Sequence, residues 1–401
     1  DRPATHRSLR GQVMLFTATR IVLNTMHRMV YPFLPAIGRG LGVDLAALSL
    51  ALTARSLAGV GSPFLASLAD SQGRKPAMLL SLLIFSTGMC LVILSPTYPA
   101  FLIALLLAML GKYTFDPSMQ AYLGDRVKYS RRGRVLAITE LGWSFSFILG
   151  VPLMGLLIAR WGWMAPFPLL TFLGVIMLAA IAWMVPREFL DSKVNGGFRK
   201  NLGQVLISPP ALAGLSMGLL LSFANEVVNL VFGVWMEDSF GLQITALGAA
   251  SALIGLSELG GESCAALFTD RLGKPLAVLL GVSLNSLAAL ALPALGSSLP
   301  GALIGLFFFY ITFEYALVSS IPLMTEVMPA LRATMMAANT AGLSLGRALG
   351  ALLAPPLYLS AKVLGIPEIL PGALAALALN FLALLSLRRL QRAQSRNIAV
   401  I

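Results

Sequence analysis

The sequence predicts an all-α integral membrane protein of twelve transmembrane helices, arranged as two pseudo-symmetric six-helix bundles. Three observations predict it. Of 401 residues 57% are apolar and only 11% charged, against roughly 25% charged in a soluble domain. Apolar stretches of about 20 residues, the length that crosses a bilayer, recur along the whole chain. A weak internal repeat also runs at an offset of 200: Asp70-Ser-Gln-Gly73-Arg74-Lys75-Pro76 returns as Asp270-Arg-Leu-Gly273-Lys274-Pro275, and Gly142 and Gly150 return as Gly342 and Gly350.

The first six spans fall at 11–36, 44–69, 76–95, 99–124, 132–159 and 164–186. After a polar stretch, 187–207, the second six fall at 209–236, 243–269, 275–295, 300–328, 332–361 and 367–387. Pro76, Pro96, Pro99, Pro186, Pro209, Pro210, Pro275, Pro300 and Pro367 mark many of the joints. The repeat and the polar stretch divide the chain into an N-terminal bundle, 1–186, a cytoplasmic linker, 187–207, and a C-terminal bundle, 208–401.

Orientation follows from the basic residues. Twenty-one of the 29 Lys and Arg lie at the two termini and in the loops after spans 2, 4, 6, 8 and 10. Only Arg39, Arg160 and Lys362 lie in loops on the other side. Both termini are therefore expected in the cytoplasm, in a multi-pass protein of the cell membrane. The same asymmetry accounts for the net charge of +12 as membrane orientation, not as nucleic-acid binding.

Charges inside a bilayer are costly and normally face a bundle interior or a water-filled cavity. Eleven fall within spans: Arg20, Arg28, Arg55, Lys112, Asp116, Glu140, Glu226, Glu258, Glu262, Glu314 and Arg347. None lies in spans 3, 6, 9 or 12, so every third helix reads as an outer, lipid-facing support. On span 1, Thr17, Arg20, Asn24, His27, Arg28 and Tyr31 share an arc of roughly 100°. Lys112, Asp116 and Gln120 repeat at i, i+4, i+8 on span 4. The first half carries a surplus of two positive charges and the second a deficit of three. Lys112 and Asp116 are spaced to pair, and Arg20 is a partner for Glu140. Glu258 and Glu262 stand one turn apart with like charge, and a shared proton relieves such repulsion.

No enzyme is expected. The two histidines, His6 and His27, and the two cysteines, Cys90 and Cys264, offer neither metal-ligand spacing nor a nucleophile–base pair. No catalytic residue, metal or cofactor is assigned, and the cysteines read as buried small hydrophobes.

The stretch Ala66-Ser-Leu68-Ala69-Asp70-Ser-Gln-Gly73-Arg74-Lys75 resembles the loop-2/3 signature of the major facilitator superfamily, Gly-x-Leu-Ala-Asp-Arg-x-Gly-Arg-Lys. It departs from that signature at Ala66 and Ser71. The resemblance implies a gate formed by Asp70, Gly73, Arg74, Lys75 and Asp125, in which Asp70 caps a neighbouring helix end and Arg74 pairs with Asp125 at the end of span 4. Gly142…Gly150-Val-Pro152-Leu-Met-Gly155 is similar to a loosened helix-5 antiporter motif, which places the chain nearest the drug:proton antiporter branch.

The expectation is a secondary active transporter working by alternating access, a proton-coupled exporter of small amphipathic compounds acting as a monomer in the lipid bilayer. Candidate substrate and coupling residues are Arg28, Lys112, Asp116, Glu140, Glu226, Glu258, Glu262, Glu314 and Arg347. Phe115, Trp143, Phe147, Phe223, Trp235 and Tyr310 are candidates for aromatic walls. An organic-anion uptake carrier clamping its cargo with Arg28, Arg55 and Arg347, and a lipid-translocating member of the same fold, fit the same sequence.

Overall fold

The computed structural model describes residues 9–62, 73–127, 129–186 and 198–398. Its helices are α1 (Leu9–Met29), α2 (Leu34–Leu41), α3 (Leu45–Val60), α4 (Arg74–Leu94), α5 (Tyr98–Arg126), α6 (Tyr129–Phe145), α7 (Val151–Trp161) and α8 (Pro166–Met184). They continue with α9 (Phe198–Ile207), α10 (Pro209–Asn229), α11 (Phe232–Phe240), α12 (Ile244–Leu272), α13 (Lys274–Leu295), α14 (Leu299–Val327), α15 (Arg332–Leu364) and α16 (Leu370–Ile398). Caps set several boundaries. Asp44 accepts from the Ala47 N–H to start α3, and Ser298 accepts from the Gly301 N–H to start α14, each satisfying an otherwise orphaned donor.

Nine helices among the described residues are long and apolar enough to cross a membrane. The other three predicted crossings fall on 9–41, 45–60 and 332–364. Arg20, Asn24, His27 and Arg28, then Arg55, then Asn339 and Arg347 lower their hydropathy. All seven side chains are buried except that of Arg347, which is half-buried. The polar stripe of the first span therefore faces protein. α2 and α3 meet at 110°, and Gly42 and Asp44 turn the chain between two crossings. Trp161 and Trp183, each more than two-thirds exposed, sit at the ends of α7 and α8, where indole rings mark a membrane–water interface.

Three predicted spans are not continuous: the first, the fifth and the seventh, the last of these at residues 230–231 between α10 and α11. The first breaks at residues 30–33. Pro32 supplies no N–H and disfavours helical geometry at Tyr31. The fifth contains a π-turn, Ser146–Gly150, closed by the Val151 N–H on the Ser146 carbonyl. It lies just before Pro152, whose ring and missing donor displace the preceding turn.

The repeat seen in sequence is present in the backbone. Six glycines have positive φ among the described residues, and they form three pairs: Gly42 (67°) with Gly241 (63°), Gly73 (92°) with Gly273 (85°), and Gly162 (84°) with Gly365 (65°). Each ends a helix or precedes one, where only glycine takes that conformation without cost. α1 ends at Met29 and α10 at Asn229.

The chain forms two compact units, 1–30 with 64–194 and 31–63 with 195–401. In the first, α4 packs on α5 and α8, and α1 on α6 and the π-turn. In the second, α13 packs on α14 and α16, and α10 on α15 and α16. These are equivalent pairings. The symmetry fails at spans 2 and 8: α12 packs on α14 of its own half, whereas α3 packs on α15. Of the four spans without charges, 6, 9 and 12 bury the least of their length; span 3 does not stand apart.

Candidate functional site

In the first unit, four charges meet on α1, α5 and α6. The Arg20 guanidinium spans Glu140, with Nη1 2.6 Å from Oε1 and Nη2 donating to Oε2 at 2.8 Å. Its Nε lies 3.2 Å from Asp116 Oδ1. Lys112 Nζ donates to Asp116 Oδ2 at 2.7 Å. Two cations face two carboxylates, so the group is neutral. Gly142 makes it possible, because a Cβ there would lie 2.8 Å from Arg20 Cβ. Above it, Arg28 stacks on aromatic rings. Its Cζ lies 3.5 Å from the Phe147 centroid and 4.2 Å from that of Trp143, and Nη1 donates to the Trp143 carbonyl at 3.1 Å. Lys112 Nζ is 5.5 Å from the same indole centroid. These are cation–π distances.

In the second unit, Glu226 of α10 is the centre. Its carboxylate is 1% exposed. Tyr31 Oη donates to Oε1 at 2.9 Å, and Asn229 Nδ2 donates to Oε2 at 3.2 Å. Arg55 Nη2 of α3 donates to Tyr31 Oη at 2.7 Å. Tyr310 Oη of α14 donates to Asn229 Oδ1 at 2.9 Å. Arg347 of α15 acts on Glu226 electrostatically, as Arg55 does. Gly350, one turn after Arg347, lies against the Glu226 stem. Sequence reasoning had singled out Glu226 and Arg347 but not the network. Tyr31 shows in the sequence only as a member of a polar stripe, and Tyr310 only as an aromatic wall.

The remaining acids lie on α12 and α14, which pack on each other. Gly261 abuts Glu314, since a Cβ there would lie 2.8 Å from Glu314 Cβ. Glu258 and Glu262 flank Gly261 in sequence. Among the described residues no group of three or more His, Cys, Asp or Glu side chains is placed to hold a metal ion. Of the six candidate aromatic walls, Phe115, Phe147, Trp235 and Tyr310 are buried in packing. Trp143 and Phe223 are half-buried and remain able to line a cavity.

At the 2–3 loop, Gly73 has positive φ, Arg74 forms an ion pair with Asp125, and Arg74 Nη1 donates to the Ala121 carbonyl at 2.9 Å. Lys75 Nζ donates to the Ala182 carbonyl at 2.7 Å, near the end of α8. Asp70 lies outside the described residues. The second copy repeats the arrangement: Gly273 precedes α13, and Lys274 pairs with Glu326. At the other end of span 7, the consecutive residues Glu237, Asp238 and Ser239 hold three elements. Glu237 pairs with Arg39. Asp238 Oδ2 accepts from Lys362 Nζ at 2.5 Å and from Tyr358 Oη at 2.9 Å. Ser239 donates to Glu368 at 3.2 Å. Sequence analysis assigns Glu237, Asp238 and Ser239 of α11 no role.

A fold of paired six-helix repeats whose charges are enclosed within membrane helices defines a membrane transporter. The chain belongs to the Major Facilitator Superfamily, whose sequence model matches residues 16–351. It is similar to the uncharacterized MFS-type transporter YwfA of Bacillus subtilis (strain 168), with 31% identity over 138 residues, 33% of this chain and 34% of that protein. It is also similar to YbcL, another uncharacterized MFS-type transporter of the same organism, with 26% identity over 149 residues, 37% of this chain and 38% of that one. Each match spans little more than a third of the relative. Among solved structures, a bacterial homolog of the human lysosomal transporter Spinster, in an inward-facing and occupied conformation, matches with a TM-score of 0.73 at 13% identity, covering 96% of this chain and 97% of its own. A D-xylose–proton symporter matches with a TM-score of 0.75 at 14% identity, covering 93% and 97%. At such identities the likeness shows the fold alone.

Proposed function

We propose that this transporter is a proton-coupled exporter of small amphipathic compounds, working as a monomer by alternating access. Its moving parts are the two six-helix halves, 1–186 and 208–401, joined by the linker 187–207. Both termini face the cytoplasm across the cell membrane. The observation that carries the reading is Glu226: an enclosed carboxylate whose four hydrogen-bonded and electrostatic partners come from spans 1, 2, 7 and 11. A proton on that oxygen pair changes what every partner holds, which is the property a coupling site needs. The described membrane charges of the second unit, Glu226, Glu258, Glu262 and Glu314 against Arg55 and Arg347, sum to −2, which suits a cargo bearing positive charge. Trp143 and Phe223 supply aromatic faces for its apolar part. A D-xylose–proton symporter has the same fold, so the fold is compatible with a proton-coupled cycle.

The test is proton movement in sealed proteoliposomes under an imposed pH gradient, with lipophilic cations, organic anions and zwitterions as candidate cargo. Proton release on adding a cation, lost in Glu226→Gln, is the expected result. Saturable uptake of a labelled anion without proton movement would overturn the reading. The double variant Glu258→Gln, Glu262→Gln separates the acids at the α12–α14 contact from Glu226.

The motif residues act in this reading as a gate. Arg74 and Asp125 are partly exposed, and such a pair contributes about 0–1 kcal/mol to stability. Asp125→Asn is therefore expected to leave the melting temperature nearly unchanged while slowing transport about tenfold, which corresponds to ~1.4 kcal/mol of conformational bias. Equal losses of stability and transport would reduce the pair to an anchor.

A further inference from the structure

The chain passes from the first compact unit to the second at Val30–Tyr31, inside the break that interrupts span 1. This break is bound closely to span 7. A Cβ on Gly233 would lie 2.6 Å from the Tyr31 carbonyl oxygen and 2.7 Å from Pro32 Cα, so backbone meets backbone with no room for a side chain. From the same turn, the Tyr31 hydroxyl donates to Glu226 at 2.9 Å and accepts from Arg55 at 2.7 Å. One hydroxyl thus joins the break of span 1, span 2 and span 7. Farther along α3, Ser49 Oγ donates to the Ala351 carbonyl of α15 at 2.5 Å. α3 is thereby held at two levels, to Tyr31 and to α15.

We infer that Tyr31 is a positioning residue that transmits the protonation state of Glu226 to the adjoining halves of spans 1 and 2. The proposal rests on the reading of Glu226 as the coupling carboxylate. With Glu226 ionised, Tyr31 donates its single O–H hydrogen bond to the carboxylate and turns its lone pairs to Arg55. The negative charge holds Arg55 and Arg347. When Glu226 takes a proton, no charge moves except that proton, but the carboxyl now carries its own donor and no longer balances the two guanidinium groups. Arg55 is 1% exposed, and removing a facing negative charge from a buried cation is unfavourable. The remedy available is for α2 and α3 to withdraw from α10 and α15, with Tyr31 as the link that releases. The groups facing Glu226 are Tyr31 from span 1, Arg55 from span 2, Asn229 on its own helix, Tyr310 of span 10 through Asn229, and Arg347 from span 11. Glu314 lies one turn along α14 from Tyr310. Span 12, which packs on α10, has no titratable residue between 370 and 387.

The experiment measures the separation of spin labels at Ala46→Cys and Thr245→Cys, two exposed sites at the starts of α3 and α12. It uses the full chain in lipid nanodiscs with Cys90→Ser and Cys264→Ser, in buffers from mildly alkaline to mildly acidic. In the parent, acid is expected to increase the population with the longer separation. Glu226→Gln is expected to show that population at every pH. Tyr31→Phe keeps the ring and loses the hydroxyl, so its pH-dependent change in population is expected to fall at least about fivefold, while its circular dichroism and melting match the parent. A merely structural tyrosine would lower the melting temperature and leave the pH profile in place. A parent-like profile in Tyr31→Phe overturns the role of Tyr31 even if Glu226→Gln is locked. A parent-like profile in Glu226→Gln overturns the coupling role of Glu226 instead. No response in the parent overturns both.

Discussion

Arg20→Met is expected to destabilise the protein by about 3 kcal/mol, near the lower end of the cost of breaking a buried ion pair. The arginine side chain is 5% exposed, and it contacts Asp116, at 16%, and Glu140, at 45%. Methionine fills much of the same volume, so the lost packing is small. What remains is a pair of carboxylates with one cation. Lys112 still faces Asp116 at 2.7 Å, which limits the damage there, and Glu140 is exposed enough for water to screen it. Most of the cost therefore falls on Asp116, which the remaining lysine cannot surround. Thermal unfolding in detergent provides the measurement. Adding Asp116→Asn to Arg20→Met is not expected to recover the loss, because it leaves Lys112, 8% exposed, without its carboxylate partner. An unchanged melting temperature in Arg20→Met alone would mean that water already reaches the cluster and that the ion pairs contribute little.

Helical spacing made part of this site legible. Lys112 and Asp116 pair within one helix at i, i+4, so a single segment contains the information. The polar stripe of α1 is buried as its periodicity requires. Gly73 and Gly273 could be matched because the repeat is local and contiguous. The Glu226 network could not be read this way. Its members are separated by 195 residues for Tyr31–Glu226 and 24 for Arg55–Tyr31, and spacing along one helix does not say which helix it faces. The symmetric reading also assigned Arg55 to the charges of the first half. α3 instead packs on α15, which places Arg55 beside Glu226 and changes the balances from +2 and −3 by halves to +1 and −2 by units. The break at 30–33 was hidden because apolar residues continue on both sides of Pro32 and hydropathy does not register a missing donor. Glu237, Asp238 and Ser239 carry no signal in the sequence, because their roles depend on distant partners. Their partners Arg39, Lys362 and Glu368 come from α2, α15 and the segment before α16.

Gly233→Val is expected to pull the break of span 1 away from span 7. Ordinary contact needs about 3.4 Å or more, and the added Cβ would start 2.6–2.7 Å from backbone atoms of Tyr31 and Pro32. Side chains at such distances can rotate aside, but a close-packed backbone moves only by carrying its segment with it. A displacement of about 1 Å is enough to stretch the Tyr31 hydrogen bonds at 2.7 and 2.9 Å beyond useful range. The loss of those bonds to a buried carboxylate and a buried guanidinium is expected to cost about 3 kcal/mol. The closed arrangement of α2 and α3 then either melts at lower temperature or gives way to the longer 46–245 separation at every pH. Gly233→Ala carries the same first carbon and is expected to show the same direction with a smaller effect. Gly241→Ala is the control. It sits eight residues on, at positive φ with no atom within 4 Å of the added carbon, so it strains only its own backbone by about 1 kcal/mol and is expected to leave the separation unchanged. If Gly233→Val and Gly241→Ala behaved alike, the contact between the two breaks would be incidental. A shift confined to Gly233 would locate the control of the α2–α3 position at the contact of Gly233 with the Tyr31–Pro32 backbone.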